Sequence, residues 1–271
     1  MIMKAVDFEY DNQFLSDYGF IICEFDGSYG VDSANVGCNI SFNTTPIFHG
    51  KTHVLTSTTY EECISTNFDI CKNPDVYDDL EISSDEFRDL MRWLNRRQFL
   101  WLCIFDQDED YESLYFEASF NIEKIKIAEK TYGLRLTMET NSPFAYGAEQ
   151  RYKKNIDSTE SEYTIYDLSD EIGISYPILN VKCKSSGDLA ITNNSFQCNS
   201  IIKNCSNGEI ITIDGRTLSI SSSDETHNVG KDFNYDFFII GNTLNNRKNK
   251  ITASMPCEIE VVYRPIIKDL P

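Results

Sequence analysis

The stretch Ser83-Ser84-Asp85-Glu86-Phe87-Arg88-Asp89-Leu90-Met91-Arg92-Trp93-Leu94, with the aromatic run Phe99-Leu100-Trp101-Leu102-Cys103-Ile104-Phe105 soon after it, decides the fold. Ser83 followed three residues later by Glu86 is a capping box, in which each side chain satisfies an orphan amide at a helix start. Phe87, Leu90, Met91 and Leu94 then recur at helical spacing and leave Arg88, Asp89 and Arg92 for water. Arg96 and Arg97 suit the negative end of the helix dipole. The spacing predicts one helix over 83–96 that packs on a sheet.

Strand patterns surround it. Downstream, 99–105, 112–120, 122–128 and 133–140 alternate or run apolar. Asp106 to Asp110 reads as the tip of a hairpin between the first two, and Asn121 as the break between the next pair. Pro143 steers Ser142 away from helical geometry and ends this unit near Tyr146. Upstream, residues 4–10 and 20–23 read as a hairpin, and the Thr-rich segments 53–60 and 63–70 as two strands paired with each other. The Gly-, Ser- and Asn-rich span 26–45, in which only 38–42 alternates, reads as a long loop or extended arm.

Beyond Pro177 short strands recur with turn signals between them: 178–183, 189–192, 200–204, 209–214, 218–221, 233–240, 249–253 and 257–263. That rhythm predicts an antiparallel sandwich, with Asn207-Gly208 and Asp214-Gly215 at turns needing positive φ. The expected fold class is therefore mainly β: an α+β N-terminal domain with antiparallel sheets and one helix, then an antiparallel β-sandwich. The expected domains are 1–146 and 165–271, joined by a polar linker over 147–164.

Composition limits the function. The 271 residues carry a formal net charge of −19, with pI near 4.5. Nucleic-acid binding needs clustered Lys and Arg to release counterions, and an anionic membrane surface would repel this chain. Residues 1–150 hold 11 Lys and Arg against 27 Asp and Glu, a net of −16; the remainder nets −3. The nine cysteines show no C-x-x-C, which suits reduced thiols in a protein folded in a cytoplasm. Met1-Ile2-Met3-Lys4 leads into charged and aromatic residues, so no secretion signal is expected. The longest apolar run, 99–105, is far short of the roughly 18 residues of a membrane span.

No chemical motif survives inspection. Asp106, Asp108, Asp110 and Glu117 match positions of a calcium loop, but Tyr111 stands where that loop requires glycine. His49 and His53 would share a face only on a helix, in sequence that disfavours one. His227 is the only other histidine, and there is no nucleophile elbow, phosphate loop or dinucleotide fingerprint. Paired glycosidase carboxylates are defined by the fold and cannot be read from abundance. Trp93, Trp101 and the many Tyr and Phe could build a sugar-stacking platform, though core or interface roles are commoner. No catalytic residue, metal site or cofactor is expected.

An ordered set of features resembles the distal tail protein family of long, non-contractile-tailed phages of Gram-positive hosts. They are Phe20-Ile21-Ile22 after Asp17-Tyr18-Gly19, Leu90-Met91-Arg92-Trp93-Leu94 before the aromatic strand, and Tyr115-Phe116-Glu117-Ala118. Gly133-Leu134-Arg135-Leu136-Thr137-Met138 and Ser142-Pro143-Phe144-Ala145-Tyr146 follow, then Tyr176-Pro177-Ile178-Leu179 and residues 208–215. The resemblance implies a structural baseplate hub protein of the virion tail tip, made in the bacterial host cytoplasm. Its first domain would form a homo-hexameric ring, with the major tail tube protein and a tail-associated hub or adhesin protein as partners. A galectin-like sandwich would project outward. Because a ring needs heterologous contacts, the arm 27–48 or the acidic hairpin 106–111 is expected to contribute to the clasp, with Gly30, Val31, Val36, Phe42, Asp108 and Tyr111 as the candidate interface residues. The alternative is an adhesin whose second domain binds host cell-wall carbohydrate; a cell-wall glycosidase ranks third.

Overall fold

The computed structural model describes residues 5–23, 39–47, 50, 52–60, 62–106, 113–157 and 162–268. The chain divides into two compact units, one of Met1–Ala148 with Ile267–Pro271, the other of Glu149–Ile266. Both are built mainly of antiparallel strands, as the sequence predicts.

In the first unit the elements are β1 (Ala5–Tyr10), β2 (Gln13–Phe14), β3 (Phe20–Cys23), β4 (Ile40–Pro46), β5 (His53–Tyr60), β6 (Ser65–Lys72), α1 (Ser84–Leu94), β7 (Leu100–Asp106), β8 (Leu114–Ile127), β9 (Lys130–Thr140) and β10 (Ala145–Tyr146). Seven of the strands form one twisted sheet in the order β2-β1-β7-β8-β9-β6-β3, with β10 paired to β8. Helix α1 begins as its sequence requires: Glu86 N donates to Ser83 Oγ at 3.3 Å, and Ser83 N donates to Glu86 Oε2 at 2.8 Å. It buries Leu90, Trp93 and Leu94 against Phe8, Tyr10, Phe120, Leu136 and Met138. Each such side chain contributes about 1.5–3 kcal/mol. The buried stripe is turned slightly from the expected one, with Trp93 inside and Met91 half-buried. Trp93 stacks on Tyr18 at 4.5 Å and donates from Nε1 to Tyr10 O at 3.1 Å, which locks the helix to β1.

Three expectations fail here. Residues 4–10 and 20–23 do not form a hairpin, since β1 pairs with β2 and β7 while β3 pairs with β6. The strands 112–120 and 122–128 are one strand, β8, which runs through Asn121. The chain reverses instead at Ala128 and Glu129, with φ of 48° and 70°, a two-residue hairpin turn made by residues with no turn preference. The segments 53–60 and 63–70 do not pair: β6 lies between β9 and β3, while β5 pairs with β4. The reason is face chemistry, since Phe68 and Ile70 belong to the core and β5 is exposed over nearly its whole length.

In the second unit the elements are β11 (Gln150–Ile156), β12 (Tyr163–Tyr166), β13 (Gly173–Ser175), β14 (Ile178–Cys183), β15 (Gly187–Asn193), β16 (Cys198–Cys205), β17 (Ile210–Asp214), β18 (Ser219–Ser222), α2 (Val229–Asp232), β19 (Ile240–Asn242), β20 (Lys248–Ala253) and β21 (Cys257–Tyr263). One sheet has the order β11-β21-β14-β17-β18 and the other β12-β20-β15-β16. Leu179, Val181, Ile211, Ile213, Ile259 and Val261 from the first share one core with Leu189, Ile191, Ile202, Ile251 and Ala253 from the second. The unit is therefore a sandwich.

The expected linker 147–164 is largely folded. β11 pairs with β21 along seven residues, Tyr152 and Ile156 enter the core, and Lys153 pairs with Glu258 at 2.7 Å. Its lysines and arginine lie outward on an edge strand, so polarity mimics a linker there. The segment 233–240 is not a strand: it leaves α2 as irregular chain, with Tyr235 at φ 59°, and apart from a single bridge between Phe233 and Ile202 pairing starts at Ile240–Asn242. At Asp214-Gly215 the positive φ falls on Leu218, at 52°. Gly215 serves another purpose, because a Cβ there would lie 2.7 Å from Pro177 O.

Candidate assembly surfaces

Of the expected clasp residues, Phe42 lies within the described residues; Gly30, Val31, Val36, Asp108 and Tyr111 lie outside them, as do the calcium-loop acids Asp108 and Asp110. Phe42 stands on β4, which with β5 forms a two-stranded sheet of its own. The ribbon's far end closes through Gly50 N to Ile47 O at 2.8 Å and Ile47 N to Thr52 O at 3.0 Å. Its base is held where the Tyr60 ring meets Phe144 edge-on at 4.7 Å.

The faces of this ribbon are set by a bulge. Ile40, Phe42 and Thr44 alternate on one side of β4, opposite Tyr60, Thr58 and Leu55. Two residues of β5 are passed between Ser57 and Leu55 while β4 advances one, from Asn43 to Thr44; the extra residue, Thr56, donates from Oγ1 to Asn43 O at 2.9 Å. The slip carries Leu55 onto the face of Ile40 and Phe42. Simple alternation would have put it on the other. Ile40, Phe42 and Leu55 are 42%, 63% and 52% exposed, and Ile47 and Val54 are also exposed. A two-stranded ribbon is marginal in water by itself, and an apolar face on one invites covering. Sequence reading found Phe42 and missed Leu55. The available signal was the adjacent Val54-Leu55 inside a Thr run, which strict alternation cannot accommodate.

His53, of the His49 and His53 spacing that the sequence argues against as a zinc site, is on strand β5, with Nδ1 3.3 Å from Thr44 Oγ1. Trp93 is a core residue, and Trp101 meets Tyr146 edge-on at 5.6 Å. Neither forms an open stacking platform.

The most concentrated buried chemistry was not legible in the sequence. His227 and Glu209 are buried side by side, with His227 Nδ1 2.6 Å from Glu209 Oε1 and Nε2 3.3 Å from Asp232 Oδ2. Ser206 N donates to Glu209 at 2.7 Å, and Ser222 Oγ at 2.5 Å. Burial works against the Glu209 carboxylate, but these donors outweigh it and hold its pKa below the usual value. Burial likewise opposes charge on His227, and the hydrogen bond and charge of Glu209 overcome it, raising the histidine's pKa. Ser222 bonds the carboxylate and both imidazole nitrogens face carboxylates, so the group is not a nucleophile–base pair. It fastens α2 and the loop before it to the sandwich. A second buried group does the same elsewhere: Asn242 Nδ2 donates to Asp167 Oδ2, Ser169 O and Glu171 O at 2.8, 3.2 and 3.0 Å.

No curated protein matches the chain. Among solved structures, the crystal structure of SPP1 Dit (gp 19.1), described as a paradigm of the hub adsorption apparatus in Gram-positive infecting phages, is similar with a TM-score of 0.63 at 13% identity. The likeness covers 96% of this chain and 99% of that one. At that identity the match establishes a shared fold. A phage tail protein N-terminal domain model matches residues 3–142, more than half of the chain, and a phage tail C-terminal domain model matches residues 144–263. The chain thus belongs to this family of phage tail proteins, and the resemblance to distal tail proteins carried by its helix, hairpins and sandwich is borne out.

Proposed function

We propose that this phage tail component is a distal tail hub protein whose first unit closes into a homo-oligomeric ring at the tail tip. The ring would join the tail tube to the proteins that engage the host. The observation that carries the reading is the end-to-end likeness to SPP1 Dit, a hub protein by its description. The β4–β5 ribbon supports the ring in particular. It offers an apolar face with bases for a heterologous contact, in which one subunit's arm lies on the body of the next. The hexameric state, a galectin-like outward sandwich, and the tube and adhesin partners belong to this proposal. So does an acidic channel wall, for which the net charge of −16 over residues 1–150 is suited, since DNA would pass it without adhering. We assign the protein no chemistry of its own.

Electron microscopy of the purified chain tests this directly. Closed rings of uniform symmetry are expected. A monomer at all accessible concentrations would overturn the ring, and selective binding of purified cell-wall glycan by that monomer would favour an adhesin instead.

A further inference from the structure

Three buried thiols meet at one end of the sandwich. Cys183 closes β14, Cys205 closes β16 and Cys257 opens β21, with exposures of 0%, 2% and 0%. Cys183 N donates to Glu209 O at 2.9 Å and Gly208 N donates to Cys183 O at 2.8 Å, so β14 ends against the tight turn that Cys205 begins. β14 and β16 belong to different sheets, yet the Cys183 and Cys205 thiols hydrogen-bond to each other. Cys257 lies directly opposite Cys183 in the strand register and is the rival partner.

We propose that Cys183 and Cys205 are a latent disulfide that forms after the tail leaves the reducing cytoplasm, tying the two sheets together. A phage tail protein folds among reduced thiols and then works outside the cell, where disulfides persist. Folding has already brought these two sulfurs into contact across the sandwich, so little more than bond closure remains.

The chemistry assigns different parts to the two thiols. The bond from the Cys183 thiol favours the charged form of Cys205, drawing its pKa below that of an ordinary thiol, while the same bond and burial push Cys183 up. His227, with its raised pKa, adds positive charge near Cys205. Cys205 also adjoins the exposed turn 206–208, which makes it the reachable, attacking sulfur. With a small disulfide such as oxidised glutathione as oxidant, the Cys205 thiolate attacks one glutathione sulfur and expels the other as thiolate, leaving a mixed disulfide. Cys183 loses its proton to the expelled thiolate, then attacks the Cys205 sulfur and releases the second glutathione, which takes up the proton Cys205 had lost. Two protein thiols and one small disulfide become one protein disulfide and two small thiols. Entry is through the turn 206–208, where Asn207 and Gly208 are exposed.

The test uses the full chain, reduced and then incubated with oxidised glutathione, denatured in an alkylating agent and mapped by mass spectrometry. The expected product is a peptide pair linked Cys183 to Cys205 and released by dithiothreitol. The unfolding midpoint of the oxidised chain should rise by about 5–10 °C, given the size of the loop closed. Cys257→Ser keeps the link, whereas Cys205→Ala loses both link and shift. If the alanine variant does not fold, the wild-type map decides alone. Linkage of Cys183 to Cys257, glutathione retained on Cys205, or complete alkylation of both thiols would overturn the proposal.

Discussion

Replacing Phe42 and Leu55 together by serine removes the apolar face of the ribbon while leaving both cores intact. Phe42 is 63% exposed and Leu55 52% exposed, so the isolated subunit has little to lose. Surface changes of this kind shift monomer stability by about 0.5 kcal/mol or less. A neighbouring subunit covering Phe42 would remove roughly 100–150 Å² of apolar surface from water, and at about 25 cal/mol per Å² that is worth about 3 kcal/mol. Leu55 adds about 1–2 kcal/mol on the same basis. Every contact in a ring repeats the loss, so each association constant should fall by a factor of about 1,000. Light scattering across a dilution series, beside a thermal melt, reads both quantities. Rings that persist at wild-type concentrations would refute the ribbon as a clasp. A melt lowered by several degrees would show that the face supports the subunit's own fold instead.

Other perturbations test the framework. Trp93→Phe removes the donor that reaches Tyr10 O and shrinks a side chain only 3% exposed, so chemical denaturation should report a loss of about 2–4 kcal/mol from the first unit. Gly215→Ala forces a Cβ to within 2.7 Å of Pro177 O and should cost the second unit about 1–3 kcal/mol, whereas a glycine needed only for turn flexibility would tolerate alanine here. His227, its pKa raised from 6.5, contributes fully below that value and loses its contribution as pH rises through the folded pKa. Glu209, lowered from 4.5, contributes fully above that value and loses its contribution as pH falls through the folded pKa. Melts of the second unit should therefore peak between about pH 4.5 and 6.5, and His227→Gln should flatten the alkaline side; an unchanged profile refutes the linkage.

Local chemistry made parts of the fold legible. The capping box at Ser83 and Glu86 is closed by two hydrogen bonds between residues three apart, so its sequence is its mechanism. The sandwich strands announced themselves because inward residues at two-residue spacing must be apolar to fill one core. What stayed hidden depends on partners far along the chain. Asn121 looked like a break, yet its strand is sustained by pairing with β9, and the turn falls at Ala128-Glu129, forced into positive φ by the strands on either side. β11 looked like a linker because its charges pair with Glu258 and Glu260, more than a hundred residues away.

The same division separates the two kinds of site. His227 and Glu209 are joined only because α2 folds back against β16 and β18, and no spacing rule connects positions 209 and 227. The ribbon posed the opposite problem, since its composition was plain and its geometry was not. Thr-rich alternation over 53–60 indicated a strand but supplied no buried face, and a strand without one cannot find its partner from pattern alone. The bulge at Thr56 then settles which residues act together, moving Leu55 beside Phe42 and leaving Val54 behind. Surface exposure and a single extra residue thus turn a weak strand signal into an apolar face. If that face is the clasp, deleting Thr56 should remove the bulge yet keep Leu55 opposite Thr44 and beside Phe42, so light scattering should find rings in the deletion variant that Leu55→Ser weakens.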